Sequence, residues 1–236
     1  MRIEDHIFFE NDDFVAVNKP SGLLTIADRE GVSGAKNLLQ DRYPNIFTVH
    51  RLDRETSGVV VFAKNEATHK ELSGLFEGRE VEKFYLGLIL GKPAADKGSI
   101  EEGIIEHPVK KGMMAINKKG KASLTDYEVL ESFRLFSWMQ FQIHTGRTHQ
   151  IRVHMKWVGN PIVCDALYGD GKPVLISSFK KRYKLSEKED EERPILSRLA
   201  LHSSKLSFTL KGTPYNLEAE LPKDLKALLQ QLRKNG

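Results

Sequence analysis

The densest grouping of reactive side chains is His50-Arg51-Leu52-Asp53-Arg54-Glu55-Thr56-Ser57-Gly58. Asp53 stands between two arginines, and a partly desolvated carboxylate can serve as nucleophile or base at a glycosidic bond. The segment lies between two β-rich stretches, so it reads as a loop on rigid flanks, a usual place for reactive groups. An Asx-type turn with solvated arginines fits the same composition. A second grouping, His144-Thr145-Gly146-Arg147-Thr148-His149-Gln150-Ile151-Arg152-Val153-His154, repeats histidine at i, i+5 and i+10. That step is about 140° around a helix and changes face on a strand, so the three rings do not converge. No Cys or carboxylate completes a zinc-like spacing, and no metal is expected. Neither G-x-x-x-x-G-K-[ST] nor G-x-G-x-x-G occurs, so no nucleotide cofactor is expected either. Ser57, His149 and Asp53 are the residue types of a hydrolase triad, but no G-x-S-x-G elbow accompanies them.

Cations recur beside aromatics and turns: Arg51 and Arg54, Lys83 with Phe84 and Tyr85, Lys110 and Lys111, and Lys118 to Lys121. Cations for phosphates and aromatics for bases are the ingredients of RNA recognition, although a Tyr in a strand reads equally as core. Lys plus Arg less Asp plus Glu is 36 − 32 = +4, with a pI near 9.0, a surplus that permits a polyanionic partner. The 236 residues, 40% apolar and 29% charged, suffice for one globular domain without a metal or disulfide staple. Cys164 is the single cysteine, which excludes an intrachain disulfide and fits a reducing compartment. The acidic start, Met1-Arg2-Ile3-Glu4-Asp5, is unlike a secretory signal, and the longest apolar run, Gly58 to Ala63, is too short for a bilayer. The expectation is a soluble, cytoplasmic protein without membrane contact.

The elements that must position these groups follow from period and turn chemistry. Ile7-Phe8-Phe9 and Phe14 to Val17 read as strands parted by Asn11-Asp12-Asp13, and Ser33 as the cap of a short helix with Leu38 and Leu39. Gly58 to Ala63 reads as a buried strand, and Asn65 caps a helix that buries Leu72, Leu75 and Phe76. Phe84 to Leu90, Ala122 to Leu130 and Leu135 to Ile143 follow as strands. In the last, Leu135, Met139, Phe141 and Ile143 are expected on one face and Gln140 and Gln142 on the other. Thr148 is the expected N-cap of a helix through Lys156, with Ile151, Met155 and Val158 inward and a basic face of His149, Arg152 and Lys156 outward. Asp170 to Pro194, with Lys180, Lys181, Arg182, Lys184 and the acidic run Glu187 to Glu192, reads as a solvated, mobile excursion whose cations are candidates for RNA phosphates. Leu199 to Ser203, Leu206 to Leu210 and Tyr215 to Glu220 read as strands. A helix then buries Leu225, Leu228, Leu229 and Leu232. The fold class is α+β: one domain over residues 1–236, with a mixed, mostly antiparallel sheet flanked by helices and loops around a central cleft.

His50-Arg51-Leu52-Asp53-x-x-Thr56-Ser57-Gly58 resembles the signature of the RluA-type RNA pseudouridine synthases. Asn18-Lys19-Pro20-Ser21-Gly22-Leu23, Lys83-Phe84-Tyr85, Thr145 to His154 and Arg198-Leu199-Ala200-Leu201-His202 are similar to that family's other motifs, in family order. The resemblance implies isomerisation of uridine in RNA. The bond from the ribose to nitrogen 1 breaks, the uracil turns, and carbon 5 joins the sugar, with no cofactor. It implies that Asp53 is the essential aspartate, that Tyr85 stacks on the uracil, and that Arg152 is the basic partner of Asp53. Leu201 becomes the apolar neighbour of the base and Arg51 the residue that fills the vacated RNA stack. The same motifs put His50, Leu52, Arg54, Thr56, Lys83, Arg147, His149 and Gln150 among the substrate-binding residues. A base must leave its stack to reach such a site.

The catalytic pattern begins almost at Met1, so target choice is expected to rest on the catalytic domain itself, including Lys110 to Lys121 and Asp170 to Pro194. The implied partner is ribosomal or transfer RNA, with no obligate protein partner. A non-catalytic RNA-binding module would not need Asp53, and a glycosidic hydrolase would release free uracil.

Overall fold

A computed structural model describes residues 2–28, 30–181, 183–184 and 191–235. Arg182 and the stretch 187–190, parts of the basic and acidic runs expected near Asp170 to Pro194, lie outside the described residues. In chain order the elements are β1 (Ile7–Glu10), β2 (Phe14–Lys19), α1 (Ala35–Leu39), β3 (Phe47–Thr48), β4 (Ser57–Ala63), α2 (Glu66–Glu77), β5 (Glu82–Leu90) and β6 (Lys97–Glu101). They continue with β7 (Ile104–Glu106), β8 (Met114–Ile116), β9 (Leu124–Ser132), β10 (Phe136–Ile143), α3 (Gln150–Trp157), β11 (Leu201–Leu210), β12 (Thr213–Glu218) and α4 (Lys223–Asn235). Two compact units share these elements: residues 1–85 with 202–220, and 86–201 with 221–236.

The first unit is organised by β4, buried at every residue. β2 lies along it antiparallel, from Phe14 opposite Ala63 to Lys19 opposite Gly58, and β11 runs parallel to it at His202 and Ser203. A strand covered on both faces needs an unbroken apolar run, which Val59-Val60-Val61-Phe62-Ala63 supplies. Phe14, Val59, Val61, Leu72, Leu206 and Phe208 form the core, with Leu75 and Phe76 of α2 packed against it. Asn65 caps α2 as expected, its side chain accepting the Thr68 N–H at 2.9 Å. α1 begins instead after Gly34, whose N–H reaches the Asn37 side chain at 3.2 Å, one residue beyond the expected Ser33 cap.

Residues 201–210 form one continuous strand rather than two, because Lys205 pairs with Glu218 of β12 and the Ser204 carbonyl accepts the Ala219 N–H at 2.9 Å. Lys211 and Gly212 close the β11–β12 hairpin with φ of 51° and 76°, a two-residue turn that suits the twist of the strands. Gly58 has φ 119°, and a Cβ there would lie 2.0 Å from the Ser203 carbonyl oxygen. The parallel pairing therefore requires a residue without a side chain. Beside it, the Ser57 hydroxyl donates to His202 Nδ1 at 2.9 Å, while His202 Nε2–H donates to the Ala219 carbonyl at 3.2 Å.

In the second unit β10 pairs with β9 and β9 with β6, all antiparallel. Met139, Phe141 and Ile143 are buried, and Gln140 and Gln142 are half-exposed on the opposite face. Leu135 departs from the expected apolar face: it lies in the turn before β10 and is 40% exposed. A bulge places Leu130 as an extra residue between the Trp138–Glu131 and Met139–Val129 pairs.

α3 corrects three expectations. Its cap position is held by His149, in the left-handed region at φ 55°, not by Thr148. Its basic face is only partly outward: Lys156 is exposed and His149 half-exposed, but Arg152 is 4% exposed and donates from Nε and Nη2 to Asp165 at 2.7 and 2.8 Å. The fully buried Asp165 also accepts the N–H groups of Leu167 and Tyr168, so a satisfied counter-charge draws the guanidinium inside. Val158, expected inward, is 41% exposed at the helix end. Residues 170–181 are anchored rather than fully solvated, because Val174 and Phe179 bury their side chains and Val174 pairs with Leu196. Leu225, Leu228, Leu229 and Leu232 are all buried along α4, and the bidentate contact of Arg198 with Asp224 ties down its first turn. Cys164 is buried, with its thiol pushed up to about 11 chiefly by that burial.

Two stability measurements check these readings by denaturant unfolding. Gly58→Ala is expected to cost about 3 kcal/mol or more, since backbone must move to admit the methyl; a loss under about 1 kcal/mol would contradict the close approach. Asp165→Ala is expected to cost about 3–5 kcal/mol by removing the bidentate partner of a buried guanidinium. Wild-type stability in that variant would show that the pair does not hold α3.

Candidate active site

The Asp53 loop is built by donors and acceptors that are themselves buried. Lys19 ends β2 fully buried, and its ammonium donates to the carbonyls of Pro20, Leu23 and Arg54 at 3.0, 2.7 and 3.1 Å. One cation thus gathers the turn after β2 and the loop before β4. Gly22 N–H donates to the Arg54 carbonyl at 2.9 Å, Arg54 Nε returns a bond to the Gly22 carbonyl at 3.1 Å, and the Ser21 hydroxyl donates to the Glu55 carbonyl at 2.6 Å. Thr25 brackets Leu52 by accepting its N–H and donating to its carbonyl, both at 3.1 Å. The Thr56 N–H then closes a turn on the Asp53 carbonyl at 3.2 Å. Asp53 is half-buried at the head of this turn, and Arg51 and Arg54 are exposed.

His50 fixes the entry to the loop. Its Nε2 accepts the Val61 N–H at 3.0 Å and its ring stacks on Phe76 at 4.5 Å and 14°. Burial, with the nearby Lys83 charge, pushes its pKa down to about 3, so the ring is neutral with its proton on Nδ1. Lys83 is itself buried, donates to the Val81 carbonyl at 3.1 Å and lies 6.0 Å from the Phe76 ring. Burial foremost, and then the Arg79 charge, lowers its pKa.

Tyr85 is 9% exposed in β5. Burial raises its phenol pKa, and the Asp53 carboxylate raises it further, while the fully buried Ser203 hydroxyl pulls the other way. The first unit therefore holds a half-exposed carboxylate in a pinned turn and an aromatic ring whose hydroxyl stays protonated at neutral pH. A planar base can stack on such a ring, and the carboxylate remains reachable by a substrate.

The second unit holds Arg147, His149, Gln150, Arg152 and Leu201. Gln150 works inward: its Oε1 accepts from Thr145 and from Arg147 N–H at 2.7 and 3.1 Å, and its Nε2 donates to the Leu124 carbonyl and to Thr125 at 2.9 and 3.0 Å. His149 Nδ1 accepts from the Tyr168 hydroxyl at 2.8 Å, and the Arg152 guanidinium lies 5.1 Å from the Tyr168 ring centre. Arg147 is half-exposed, and Leu201 is buried. Within this unit Arg152 pairs with Asp165, a partner the sequence reading did not name.

Lys19, Thr25, Ser203, Asp165 and Tyr168 were not singled out for these structural roles. Lys19 did leave a signal, a lone cation ending a buried strand directly before Pro-Ser-Gly. No group of His, Cys, Asp and Glu among the described residues is arranged to hold a metal ion, and no helix among them is long and apolar enough to cross a membrane.

Residues 13–157 match the family described as RNA pseudouridylate synthase. The chain is 32% identical over 247 residues to an uncharacterized RNA pseudouridine synthase, YlyB, of Bacillus subtilis (strain 168), covering 98% of this chain and 73% of that one. It is 33% identical over 235 residues to the ribosomal large subunit pseudouridine synthase D of Buchnera aphidicola subsp. Schizaphis graminum, covering 96% and 72%. Among solved structures, the human RNA pseudouridylate synthase domain containing 1 superposes with a TM-score of 0.71 at 28% identity over 96% of this chain and 94% of that one. Its domain containing 4 counterpart, at 24% identity and a TM-score of 0.74 over 98% and 94%, shares the fold. The ordered motifs around the Asp53 loop and likeness over nearly the full length lead to one assignment: the chain belongs to the RNA pseudouridylate synthase family, isomerases that convert uridine in RNA to pseudouridine.

Proposed function

We propose that this isomerase acts on uridine in ribosomal RNA, with Asp53 as its essential carboxylate and Tyr85 as the ring on which the extruded uracil stacks. The observation that carries the assignment is the Asp53 turn itself. Its backbone is fixed by Lys19, Thr25 and Thr56, yet the carboxylate stays half-exposed. The structural Asp165, by contrast, is fully buried against Arg152. Such preorganisation suits a group that must meet a substrate without rearranging.

The reaction moves one base on one sugar. The bond between ribose carbon 1′ and uracil nitrogen 1 breaks, and a bond between carbon 1′ and carbon 5 forms. The carbon 5 proton leaves, and nitrogen 1 takes one up. Attack of Asp53 on the sugar, its attack on the base, and its removal of a sugar proton all fit this balance. Burial keeps the Tyr85 phenol protonated, which favours a role as stacking surface and O–H donor over one as resting-state base. Arg152 is assigned the cationic role that the family motif implies, and the Asp165 bond sets its orientation. Ribosomal RNA is favoured because the relatives named as ribosomal large subunit pseudouridine synthase D match over 96% of the chain. Transfer RNA is the second reading.

Mapping pseudouridine across total cellular RNA with and without the protein tests the target: sites in ribosomal RNA support the reading, and sites confined to transfer RNA replace it. Asp53→Asn is expected to remove conversion while RNA affinity stays within about threefold, because neutral Asn lacks the reactive oxygen but keeps the shape. Turnover near wild type in that variant would reject Asp53. Tyr85→Phe keeps the ring and loses the hydroxyl, so single-turnover rates should fall about 100-fold with little change in RNA binding. An unchanged rate would limit Tyr85 to stacking.

A further inference from the structure

The second unit contains a cavity of about 900 Å³ between the β7–β8 hairpin and the turn that leads into α3. Lys110, Lys111, Lys119, Lys121 and Arg147 line it, with Glu106 as the one carboxylate. Five cations less one anion give +4, equal to the formal surplus of all 236 residues. A local surplus of this size suits a polyanionic ligand. Part of its lining is apolar: Met113 and Met114 are half-exposed and pack against Ile104, Val153 and Tyr168.

The lining is preformed. His107 Nδ1 accepts the N–H groups of Val109 and Lys110 at 3.2 and 3.1 Å, and the His107 N–H donates to the Met113 carbonyl at 2.9 Å, which fixes the hairpin tip. The Met114 N–H donates to the Tyr168 hydroxyl at 2.7 Å. Lys121 and Ile104 exchange backbone bonds at 3.0 and 2.9 Å, and a Cβ on Gly120 would lie 2.5 Å from Ile104 N. Lys119 and Lys121 thus flank a glycine wedged against β7.

We infer that this cavity binds a second, unstacked nucleotide of the substrate RNA, its base on the apolar surface of Met113 and Met114 and its phosphates against Lys119, Lys121 and Arg147. The inference rests on RNA being the substrate. A bare anion would use the cations and leave the apolar surface wet, whereas a nucleotide covers both. Thioether and aliphatic side chains suit a flat base without selecting its identity. Glu106, which would repel phosphate, belongs at the base end, where a carboxylate accepts from a base N–H. The cavity would then hold the strand by a nucleotide other than the isomerised one.

Fluorescence anisotropy with the full chain tests this, using a labelled 12-nucleotide oligouridylate and a matched abasic ribose-phosphate oligomer. Lys119→Gln with Lys121→Gln is expected to flatten the salt dependence of oligouridylate binding, by about 0.7 in slope for each phosphate that is no longer neutralised. Met113→Ser is expected to cut the wild-type preference for oligouridylate over the abasic oligomer about tenfold and leave the salt slope unchanged. In pseudouridine formation on ribosomal RNA, both variants should raise KM with kcat within threefold. An unchanged slope in the lysine variant, an unchanged base preference in Met113→Ser, or tighter wild-type binding of a glutamate-rich peptide than of oligouridylate would each overturn the inference. Thermal melting confirms that each variant is folded, and Met114→Ala replaces Met113→Ser if that variant melts early. Loss of pseudouridine formation by the wild-type chain would instead count against the ribosomal RNA reading, so the two failures are separable.

Discussion

A single buried ammonium, that of Lys19, ties the Asp53 loop to the turn after β2. Taking a charge wholly out of water costs several kcal/mol unless its donors are satisfied, and three backbone carbonyls receive this one. Two of those carbonyls belong to the turn after β2 and the third to Arg54, immediately after Asp53. The reactive loop is therefore not a free excursion from β4. It is half of a two-loop clasp, with Thr25 and Ser21 adding neutral bonds across the same seam.

A comparable logic runs through the other unit. Asp165 neutralises and orients Arg152, and the Tyr168 ring lies beside that guanidinium. The hydroxyl of Tyr168 then serves His149 on one side and the Met114 N–H on the other. The start of α3 and the β7–β8 hairpin thus share one polar anchor. Each family motif in this chain contains some residues that hold backbone and others that meet solvent. Gln150 and His50 are of the first kind, Arg51 and Arg147 of the second.

This division explains what the amino-acid order could reveal. β4, α2 and α4 were legible because each has one dominant signal: a continuous apolar run, an Asn cap, or leucines at helical spacing. β6 escaped notice because Lys97-Gly98-Ser99-Ile100-Glu101 buries only Ile100 among its apolar positions, so it has no alternation to read. β7 and β8 have three residues each, below the length at which a period shows. Asp53 drew attention from its setting between two arginines, whereas the role expected of Tyr85 came only from motif resemblance. Asp165 was missed because it lies 13 residues beyond Arg152 in irregular chain, where nothing local marks a counter-charge. The outward placement of Arg152 on α3 failed for the same reason: a helical wheel assigns charge to solvent unless a buried partner is known.

The lone thiol has a practical corollary. With its pKa near 11, Cys164 presents about one thiolate in ten thousand molecules at neutral pH, and burial hides even that fraction. The thiol is thus poorly reactive toward peroxide and maleimide as it stands. A spin label or fluorophore can be attached through an engineered surface cysteine without first deleting the native one.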